Sequence, residues 1–484
     1  MTEKYGKLNE SIINKLIGVV GESWVTTDPE DLYIYARDMT EAKPGNPEAI
    51  VLPKTTEDVR GVLEIANDEK IPVVPYIAAA NIGGLTIPLH GGIMLDLKRM
   101  NKVIKVDEVS KYAVVEPGVT FGHIKAYLAK NNPDFIYSYA FSPPYTSIVA
   151  NALLEGLTEF SVRWGAMGDW IVGLEVVLPT GEIVKIGSCA TSDHWNMKYP
   201  LPDLTSLFIG WQGMTGVVTK CSVKLVPKPT FRNTITISYR SLPAADKTLR
   251  TLVNKDIIHG ESTFSTPTIK MMTGMKHPLP PMKENEALLT SIIVLFSDSR
   301  KEDKAKQKQV IELTKQVEEE YGKKIDVVPM GRGDVVKLPQ TLPAFMEFRS
   351  NIGEYKGAGM SWLGTYCPPN TWMEAYEKGW KIMEKYGFAP LVFNKMMDAG
   401  HFMVVRYLVP FNKAAPGETE KVRAMLEEIL EQATLPSGAI PYKCPAWAAK
   451  KVMEKIDPNW INVARRVRKA LDPNEIMNPG RWNL

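Results

Sequence analysis

The pattern of apolar and polar positions between residues 164 and 228 predicts a strand-rich segment around which the rest of the chain is organised. Residues 171–178 form a nearly unbroken apolar run with the length of a buried strand. A Thr-Gly turn follows and leads into a second apolar run, which is the pattern of a β-hairpin. Gly213 and Gly216 precede another β-branched strand, and they indicate that something bulky and flat approaches the backbone closely.

The segments on either side of this region predict further alternation of helices and strands. Residues 1–47 are expected to form two helices that cap the next domain. Residues 48–140 have the pattern of strand, amphipathic helix and strand, followed by further strands, which predicts a mixed α+β domain. From residue 231 to about residue 455, strand-like segments alternate with long helices whose mixed charges are typical of a solvated face. No internal repeat is visible in the sequence.

Composition and charge narrow the class of protein. The apolar fraction of 44% and the charged fraction of 23% are ordinary for a globular chain, and 484 residues suffice for two or three domains. The net charge of +3 gives no reason to expect a nucleic-acid or membrane partner. The N-terminus does not resemble a signal peptide, and there is no run of about 18 apolar residues that could span a membrane. The four cysteines are widely spaced without a CxxC pair, which fits a reducing cytoplasm and excludes a self-contained iron–sulfur site.

A loop of small residues at positions 76–88 is the first candidate for chemistry. It directly follows a predicted buried strand and contains Asn81, Gly83 and Gly84. Successive backbone N–H groups in such a turn can form an anion-binding nest that suits a diphosphate. Taken alone, a loop of this kind is more often an ordinary tight turn, so the residues leave both interpretations open.

Several segments together resemble the vanillyl-alcohol-oxidase superfamily of FAD proteins, also called the p-cresol methylhydroxylase type. The segments GLEVVLPTGEIV and TGVVTKCSVKLVPKP are similar to the flavin domain of its glycolate oxidase and D-lactate dehydrogenase branch, and ALDPNEIMNPG is similar to its C-terminal signature. The run APLVFNKMMDAGHFMVVRYLVPFNK resembles its phenol-oxidising branch. The resemblance covers most of the chain and implies an α+β fold, in which a two-lobed FAD-binding domain of the p-cresol methylhydroxylase type carries a ferredoxin-like α+β substrate cap.

The same resemblance implies that the chain is divided into four parts. An N-terminal helical segment would occupy residues 1–47, and the FAD-binding domain would occupy residues 48–230. The substrate cap would occupy residues 231–455. Residues 456–484 would return to the FAD-binding domain and place Asn478 near the isoalloxazine ring.

Non-covalent FAD is the cofactor that the resemblance implies, because the chain has no His–Cys arrangement that matches a covalent attachment. In the family's phosphate loop, glycine and arginine are usual where this chain has Ala78, Ala79 and Ala80. Alanine keeps the N–H donors but disfavours positive φ. The predicted cofactor-binding residues are Ala79, Ala80, Asn81, Ile82, Gly83, Gly84, Pro144, Ser147, Asn151, Gly165, Asp169, Gly213, Gly216, Val217, Val218 and Asn478.

The predicted catalytic residues lie in the cap. The branch that oxidises 2-hydroxy acids carries histidines that hold a divalent ion, whereas the six histidines here form no HxH or HxxxH pattern, so no catalytic metal is expected. Arg406, Tyr442 and Lys443 stand in these places, and Tyr442-Lys443 resembles, in altered form, the tyrosine–arginine pair that steadies a phenolate in the phenol-oxidising branch. A solvent-facing Lys443 and a structural ion pair of Arg406 are the alternatives. His401 is the fourth candidate, although a lone histidine is more often structural than a ligand.

These residues predict a cytoplasmic FAD-dependent dehydrogenase or oxidase. It would transfer a hydride from a hydroxyl-bearing or benzylic carbon of a small anionic or phenolic molecule to flavin N5. Electrons would then pass to a separate acceptor, which is an electron-transfer flavoprotein, an iron–sulfur subunit or a quinone, and the chain would be part of a homo- or hetero-oligomer. The first alternative is a metal-independent 2-hydroxy acid dehydrogenase of D-lactate or glycolate type. The second is a non-catalytic flavoprotein-fold subunit of a redox complex.

Overall fold

The computed structural model describes residues 4–80, 83–140, 142–273, 275, 279–332 and 358–484. Within these ranges the α-helices are α1 (Glu10–Val20), α2 (Pro29–Tyr35), α3 (Thr56–Asp68), α4 (Phe121–Asn131), α5 (Ile148–Leu153), α6 (Ser161–Trp164), α7 (Leu242–Asn254), α8 (Thr266–Met272), α9 (Arg300–Tyr321), α10 (Trp372–Lys385), α11 (Glu418–Glu428), α12 (Ala446–Met453) and α13 (Pro458–Leu471). Among these described helices, none combines the length and the apolar character needed to cross a membrane.

The strands of the same ranges fall into three larger sheets and one short pair. They are β1 (Val25–Thr26), β2 (Ala49–Val51), β3 (Val73–Tyr76), β4 (Ile93–Asp96), β5 (Val103–Asp107), β6 (Tyr112–Val115), β7 (Phe135–Ile136), β8 (Ile171–Val177), β9 (Ile183–Gly187), β10 (Val217–Lys224), β11 (Val226–Pro227), β12 (Phe231–Tyr239), β13 (Gly260–Ser265), β14 (Leu289–Ser297), β15 (Ile325–Arg332), β16 (Ala358–Cys367), β17 (Leu391–Met397), β18 (Phe402–Asn412) and β19 (Ile440–Pro441).

The first lobe is built on a four-stranded sheet with the strand order β1-β2-β4-β3. Strands β2 and β3 both run parallel to β4, and α3 is the crossover that joins β2 to β3. The Thr55 side chain caps α3 and the Asp58 side chain accepts from the Thr55 backbone N–H, which together form a capping box. Val59 and Leu63 of α3 are fully buried in the core that this lobe shares with α1.

The second lobe is an antiparallel sheet with the strand order β5-β6-β10-β8-β9. Strands β8 and β9 form a hairpin in which Gly173 lies opposite Gly187, as the Thr-Gly turn predicted. All residues of β8 are buried, because this strand lies between β9 and β10 and under the core of the lobe. The apolar run of β8 is therefore nearly unbroken because every position of the strand is buried.

The cap is built on an antiparallel sheet with the strand order β15-β12-β14-β13-β17-β18-β16-β19. Its elements form two successive βαββαβ units, which is the ferredoxin-like arrangement. The first unit runs from β12 through α7, β13, β14 and α9 to β15, with α8 inserted, and the second runs from β16 through α10, β17, β18 and α11 to β19. The units meet where β13 pairs with β17, and the strand order of the second reverses that of the first. The sequence showed no repeat, so this duplication is apparent only in the structure.

The two faces of the cap sheet contact different partners, because successive side chains of a strand point to opposite faces. Leu363 and Tyr407 belong to a core shared with the helices that cover one face. Trp362 and Phe393 belong to a second cluster, which also contains Leu157 of the second lobe. The cap therefore turns an apolar face with aromatic rings toward the second lobe.

Segments near the two ends of the chain hold these parts together. Met477 pairs with Val73, and the backbone N–H of Asn478 donates to Val73 O at 2.8 Å, so the C-terminal residues return to the first lobe. In the N-terminal segment, the buried carboxylate of Glu41 forms an ion pair with Arg423 of the cap at 3.0 Å.

Candidate functional site

A cleft between the two lobes, named here the interlobe cleft, has an empty volume of about 1060 Å³, including space open to solvent. Its walls come from the loop after β3, the segment that enters α5, the glycine turn before β10, the cap and the C-terminal residues. The predicted residues that line it are Ala79, Ala80, Ser147, Asn151, Gly213, Gly216, Val217, Val218, Lys443 and Asn478. The fold thus brings together residues that are far apart in the sequence.

The loop after β3 reaches the cleft from the carboxyl end of a parallel strand, which is where open α/β sheets place their ligands. Ala79 has a φ of +44°, in the left-handed region that alanine disfavours. Left-handed residues are a component of the backbone nests that bind anions. Asn81 and Ile82, predicted in the same loop, lie outside the described residues.

Ser147 begins α5, and the structure uses its hydroxyl locally. The Ser147 Oγ accepts from the N–H of Ala150 at 3.0 Å and donates to Pro117 O at 2.6 Å. Its proton is therefore already engaged in capping, and only a remaining lone pair can contribute to a ligand. Ser147 lines the cleft as predicted, but its first role is to fix the entry into α5.

Four side-chain atoms of cleft-lining residues are buried and have no hydrogen-bond partner among the described residues. They are Ser142 Oγ, Thr146 Oγ1, Asn151 Nδ2 and Gln212 Oε1. Leaving such a group unpaired costs about 1–3 kcal/mol. FAD offers phosphate oxygens, ribityl hydroxyls and ring N–H and C=O groups, so the unused donors and acceptors of this cleft fit that cofactor.

The two glycines of the turn before β10 have a cause within the protein. A Cβ on Gly216 would lie 2.9 Å from Val177 O, and one on Gly213 would lie 3.3 Å from Pro75 Cγ. Gly213 also has a φ of +80°, which only glycine adopts without strain. Both residues line the cleft, and neighbouring protein atoms already account for part of the close approach inferred from the sequence.

The C-terminal residues close one wall of the cleft. The Asn478 side-chain amide donates to Gln212 O at 2.7 Å and to Leu85 O at 3.3 Å, which ties the glycine turn to the loop after β3. Fully buried Arg481 donates to Asn478 Oδ1 at 3.2 Å and to Gly84 O at 3.1 Å. Burial lowers the pKa of Arg481 to about 10, so the guanidinium remains charged at neutral pH.

A cage of aromatic rings in the cap surrounds Arg406. The guanidinium carbon lies 4.4 Å from the ring centre of Trp362, 4.9 Å from that of Phe393 and 5.4 Å from that of Tyr442. These distances are those of cation–π contacts. Among the described residues Arg406 forms no ion pair with a carboxylate, and its Nε has no partner. The structural ion pair considered for Arg406 is therefore absent from the described part of the chain, and burial lowers the pKa of its guanidinium.

Lys443 connects this cage to the interlobe cleft, which it lines. Its Nζ lies 5.7 Å from the ring centres of both Trp362 and Tyr442. Burial and then the nearby charge of Arg406 lower the pKa of Lys443 to about 7. Lys443 is half-buried, so the alternative of a solvent-facing side chain does not hold.

Both lobes position the segment that carries Lys443. The Gln212 side chain donates to Cys444 O at 3.1 Å. A Cβ on Gly83 would lie 3.2 Å from Lys443 O, so the loop after β3 packs directly on this segment. The predicted residues Gly83 and Gly84 therefore support the site without lining the cleft.

Eight predicted residues that the structure describes lie outside the set that lines the interlobe cleft, namely His401, Arg406, Tyr442, Gly83, Gly84, Pro144, Gly165 and Asp169. His401 is exposed in the turn between β17 and β18, where its N–H donates to Asp398 O. Arg406 follows five residues later on an extended strand, about 16 Å away at about 3.3 Å per residue. Asp169 is exposed near Gly165 after α6, and Pro144 contributes its carbonyl to the N–H of Gly122.

Several functional candidates escaped the sequence reasoning. Trp362 and Phe393 lie on neighbouring strands, and only the register of β16, β17 and β18 places them around Arg406. Gln212 and Arg481 belong to no recognised motif of their own. Only the position of Gln212 next to the glycine turn and that of Arg481 directly after the C-terminal signature could have indicated them. Within the described ranges, no group of three or more His, Cys, Asp or Glu residues could hold a metal ion.

A cleft that fits FAD, set between two lobes and faced by an antiparallel cap sheet, defines the class as a flavin-dependent oxidoreductase. A family described as "FAD binding domain" matches residues 47–187, and one described as "FAD linked oxidases, C-terminal domain" matches residues 228–482. The chain belongs to the FAD-linked oxidases, and FAD is its cofactor.

Relatives of known name span the whole chain. The glycolate oxidase subunit GlcD of Bacillus subtilis is 25% identical over 98% of this chain and 97% of its own length. The 4-cresol dehydrogenase [hydroxylating] flavoprotein subunit of Pseudomonas putida is 25% identical over 99% of this chain and 96% of its own. The crystal structure of p-cresol methylhydroxylase with substrate bound has a TM-score of 0.84 at 22% identity, over 98% of this chain and 96% of its own, and this shows the fold. The fold class, the cofactor and the enzyme class that the sequence predicted are confirmed.

Proposed function

We propose that this enzyme removes a hydride from a hydroxyl-bearing or benzylic carbon of a small anionic or phenolic molecule and passes the electrons to a separate acceptor. The observation that carries the proposal is a pair of cations in the cap, of which Lys443 lines the interlobe cleft and Arg406 lies in the aromatic cage beside it. Arg406 and Lys443 lie among aromatic rings and form no ion pair with a carboxylate of the described residues. Two uncompensated cations in an apolar surrounding suit an anionic ligand.

Bound FAD supplies the hydride acceptor at its N5 atom. The side chains of the cap perform the other tasks. Arg406 and Lys443 neutralise a phenolate or carboxylate, and the surrounding rings exclude water, which strengthens that attraction. Burial raises the pKa of Tyr442, so its hydroxyl stays protonated and is able to donate to the substrate oxygen.

The lobes hold the cofactor in this proposal. The backbone around Ala79 and Ala80 takes the diphosphate, since it combines a left-handed residue with free space in the cleft. Asn151 and Gln212 use their unpaired amide atoms on the cofactor. Asn478 is a positioning residue, because its amide joins the loop after β3 to the glycine turn before β10.

A 2-hydroxy acid is the alternative substrate class. Its carboxylate suits the same two cations, and one of the named relatives is a glycolate oxidase subunit. The aromatic cage favours a ring-bearing substrate, and another relative is named for 4-cresol. The two cations, which have no carboxylate partner among the described residues, and the named relatives favour a catalytic role over a non-catalytic one.

An anaerobic titration of the purified, FAD-containing protein distinguishes these classes. D-lactate, glycolate, 4-hydroxybenzyl alcohol and p-cresol are added in turn, and loss of the absorbance of oxidised flavin reports hydride transfer. Bleaching by the aromatics supports the phenolic assignment, whereas bleaching by the hydroxy acids alone moves the assignment to that class. An intact spectrum with all four compounds counts against both.

The two cations are tested by the double variant Arg406→Met, Lys443→Met. We expect the rate constant of flavin reduction to fall, or KM to rise, by at least about 100-fold, because a charge-assisted bond contributes about 1.5–3 kcal/mol. Lys450→Met is the matched control, since Lys450 is exposed on α12. Unchanged single-turnover reduction in the double variant would remove the proposed roles.

Non-covalent attachment of the cofactor is part of the proposal. Acid precipitation of the protein is expected to leave the yellow flavin in the supernatant. Colour that stays with the pellet contradicts non-covalent binding.

A further inference from the structure

A second cleft, named here the outer cleft, lies against the second lobe between α4, β7 and the start of β12. Its empty volume is about 1100 Å³, including space open to solvent, and it shares no lining residue with the interlobe cleft. Four aromatic side chains line it, namely Phe121, Phe135, Tyr137 and Tyr139. The rings contact one another, since the centre of Phe121 lies 5.5 Å from that of Tyr139 and 6.0 Å from that of Tyr137.

A segment of chain that lines the interlobe cleft also contacts residues of the outer cleft. The Tyr139 hydroxyl, which belongs to the outer cleft, donates to Ser142 O at 2.8 Å. The N–H of Phe121 donates to Thr146 O at 3.0 Å. Ser142 and Thr146 both line the interlobe cleft. A molecule in the outer cleft would therefore lie one polypeptide segment away from the FAD site.

Positive charge predominates around the outer cleft. Lys125, Lys228 and Arg232 line it, against the one carboxylate of Glu159, which forms an ion pair with Arg232 at 2.5 Å. Burial and the charge of Arg232 both lower the pKa of Lys125, so the cations lie near enough to repel one another. Such an arrangement stabilises a ligand that gains negative charge.

Two hydrogen-bond donors of the lining residues are unused. The Tyr137 hydroxyl and Arg232 Nε are buried and have no partner among the described residues. Burying a donor without a partner is unfavourable, so a carbonyl oxygen brought to either group would offset that cost.

We propose that the outer cleft binds a quinone, which accepts the electrons of the reduced flavin. A quinone has a flat ring for the aromatic walls and two carbonyl oxygens for the unused donors, and it becomes anionic when electrons arrive. Its benzoquinone and naphthoquinone forms share this chemistry. The proposal rests on the proposed function for the source of electrons, but not on which substrate supplies them.

The reaction balances without a further reactant. Oxidation of the reduced flavin releases two electrons and two protons, and a quinone takes up two of each to become a hydroquinone. The electrons cross the segment between the clefts, and the protons reach the quinone oxygens through solvent, because the outer cleft opens to it. Direct hydride transfer is excluded by the intervening segment.

The experiment separates this proposal from the identity of the substrate. The flavin of the FAD-containing protein is reduced anaerobically with dithionite, and a water-soluble short-chain benzoquinone or naphthoquinone is then mixed in. Return of the absorbance of oxidised flavin gives the rate of reoxidation. Calorimetric titration of the same quinone into the oxidised protein gives its dissociation constant without any turnover. A substrate panel that fails to bleach the flavin leaves both measurements unaffected.

Two variants and a control test whether the quinone binds in the outer cleft. Ala129 is exposed on α4 and lines the outer cleft, so Ala129→Trp fills it with little effect on the fold. We expect Ala129→Trp to weaken quinone binding and to slow reoxidation at least about tenfold. We expect Tyr137→Phe to weaken binding about three- to tenfold, as the loss of one hydrogen bond does. Tyr127→Phe, on the same helix but outside the cleft, serves as the control and is expected to match the unmodified protein.

Equal reoxidation rates in Ala129→Trp and the unmodified protein would overturn the proposal, and so would the absence of binding heat with both quinones. If Ala129→Trp fails to retain FAD, Tyr137→Phe against Tyr127→Phe decides the question, because both changes remove only a hydroxyl.

Discussion

Burial and the neighbouring guanidinium of Arg406 both oppose a positive charge on Lys443. Its pKa of about 7 lies far below the ordinary value of 10.5, so the side chain titrates in the neutral range. Only the protonated form attracts an anion. The electrostatics of the site therefore depend on pH at this one residue.

We expect the affinity for an anionic substrate to be highest below pH 7 and to fall as the pH rises through about 7, because Lys443 loses its proton there. KM for flavin reduction, measured across the neutral range, reports this. Lys443→Arg is the control, since arginine stays charged and its KM is expected to remain flat over the same range. A profile that is flat in the unmodified protein would contradict the assigned role of Lys443.

Ala79 offers a test of the phosphate loop. Its φ of +44° strains alanine, whereas Ala80 has no positive φ. We expect Ala79→Gly to tighten FAD binding and to leave the free energy of unfolding unchanged or raised by up to about 1 kcal/mol, because relief of strain exceeds the entropy lost. Ala80→Gly is expected to lower that free energy by about 0.4–1 kcal/mol. Calorimetry with FAD and urea unfolding measure both, and identical effects of the two changes would count against the strained conformation.

At the scale of residues, a site residue could be predicted where a short stretch of sequence is enough to identify it. Lys443 and Tyr442 could be selected because a cation and a phenol stand where a metal-binding set was expected. Trp362 and Phe393 could not, because a cage is made by the register of neighbouring strands, and single-sequence patterns do not give register. The structure places His401 in the exposed turn before β18, five residues along the chain from Arg406.

At the scale of elements, the C-terminal segment depends most on one side chain. Arg481 satisfies the carbonyls of Gly84 and Ile87 and the side chain of Asn478. Arg481→Ala removes the guanidinium donor from Ile87 O and Asn478 Oδ1, and it leaves Gly84 O with the N–H of Ile87 at 3.4 Å. We expect the free energy of unfolding to fall by about 2–4 kcal/mol and the dissociation constant for FAD to rise at least about tenfold. Urea unfolding and FAD titration measure the two effects.

Arg465→Ala is the control for that change, because Arg465 is exposed on α13. It is expected to alter neither quantity. Loss of stability in Arg481→Ala with unchanged FAD affinity would show that the C-terminal segment supports the fold but not the cleft.

Helices with clear caps and strands with clear turns were predictable as elements. The capping box of α3 and the β8–β9 hairpin are examples, because their signals are local. The pairing of Met477 with Val73 joins residues from opposite ends of the sequence, and only the resemblance to a family suggested it.

At the scale of the whole molecule, the N-terminal segment joins the lobes to the cap. The carboxylate of Glu41 binds Arg423, and it also accepts from the Ser361 hydroxyl, while Lys413 donates to Asp38 O at 2.9 Å. We expect Glu41→Gln to lower the free energy of unfolding by about 1–3 kcal/mol, since it breaks a largely buried ion pair. Hydrogen exchange in β16 is expected to rise, because glutamine keeps only one oxygen to accept from both Arg423 and Ser361.

Glu30→Gln is the control for the Glu41 variant, since Glu30 is exposed at the start of α2. It is expected to leave unfolding and exchange unchanged. If Glu41→Gln also leaves unfolding and exchange unchanged, the N-terminal segment does not stabilise the contact between the lobes and the cap.

The duplication of the cap was not visible in the sequence for a physical reason. The two βαββαβ units share their order of elements, but each strand packs against different neighbours, so the side chains follow local packing. A common arrangement of strands is compatible with many sequences that keep only the alternation of buried and exposed positions.

Asn478 also determines when the cleft of a newly made molecule is completed. Its amide joins the loop after β3 to the glycine turn, and both are synthesised long before it. At about 5–20 residues per second, the ribosome needs on the order of half a minute to travel from α5 to Asn478. During that interval the nascent chain has one wall of the cleft missing. This wall of the cleft is therefore completed only after Asn478 has left the ribosome and bonded to Leu85 O and Gln212 O.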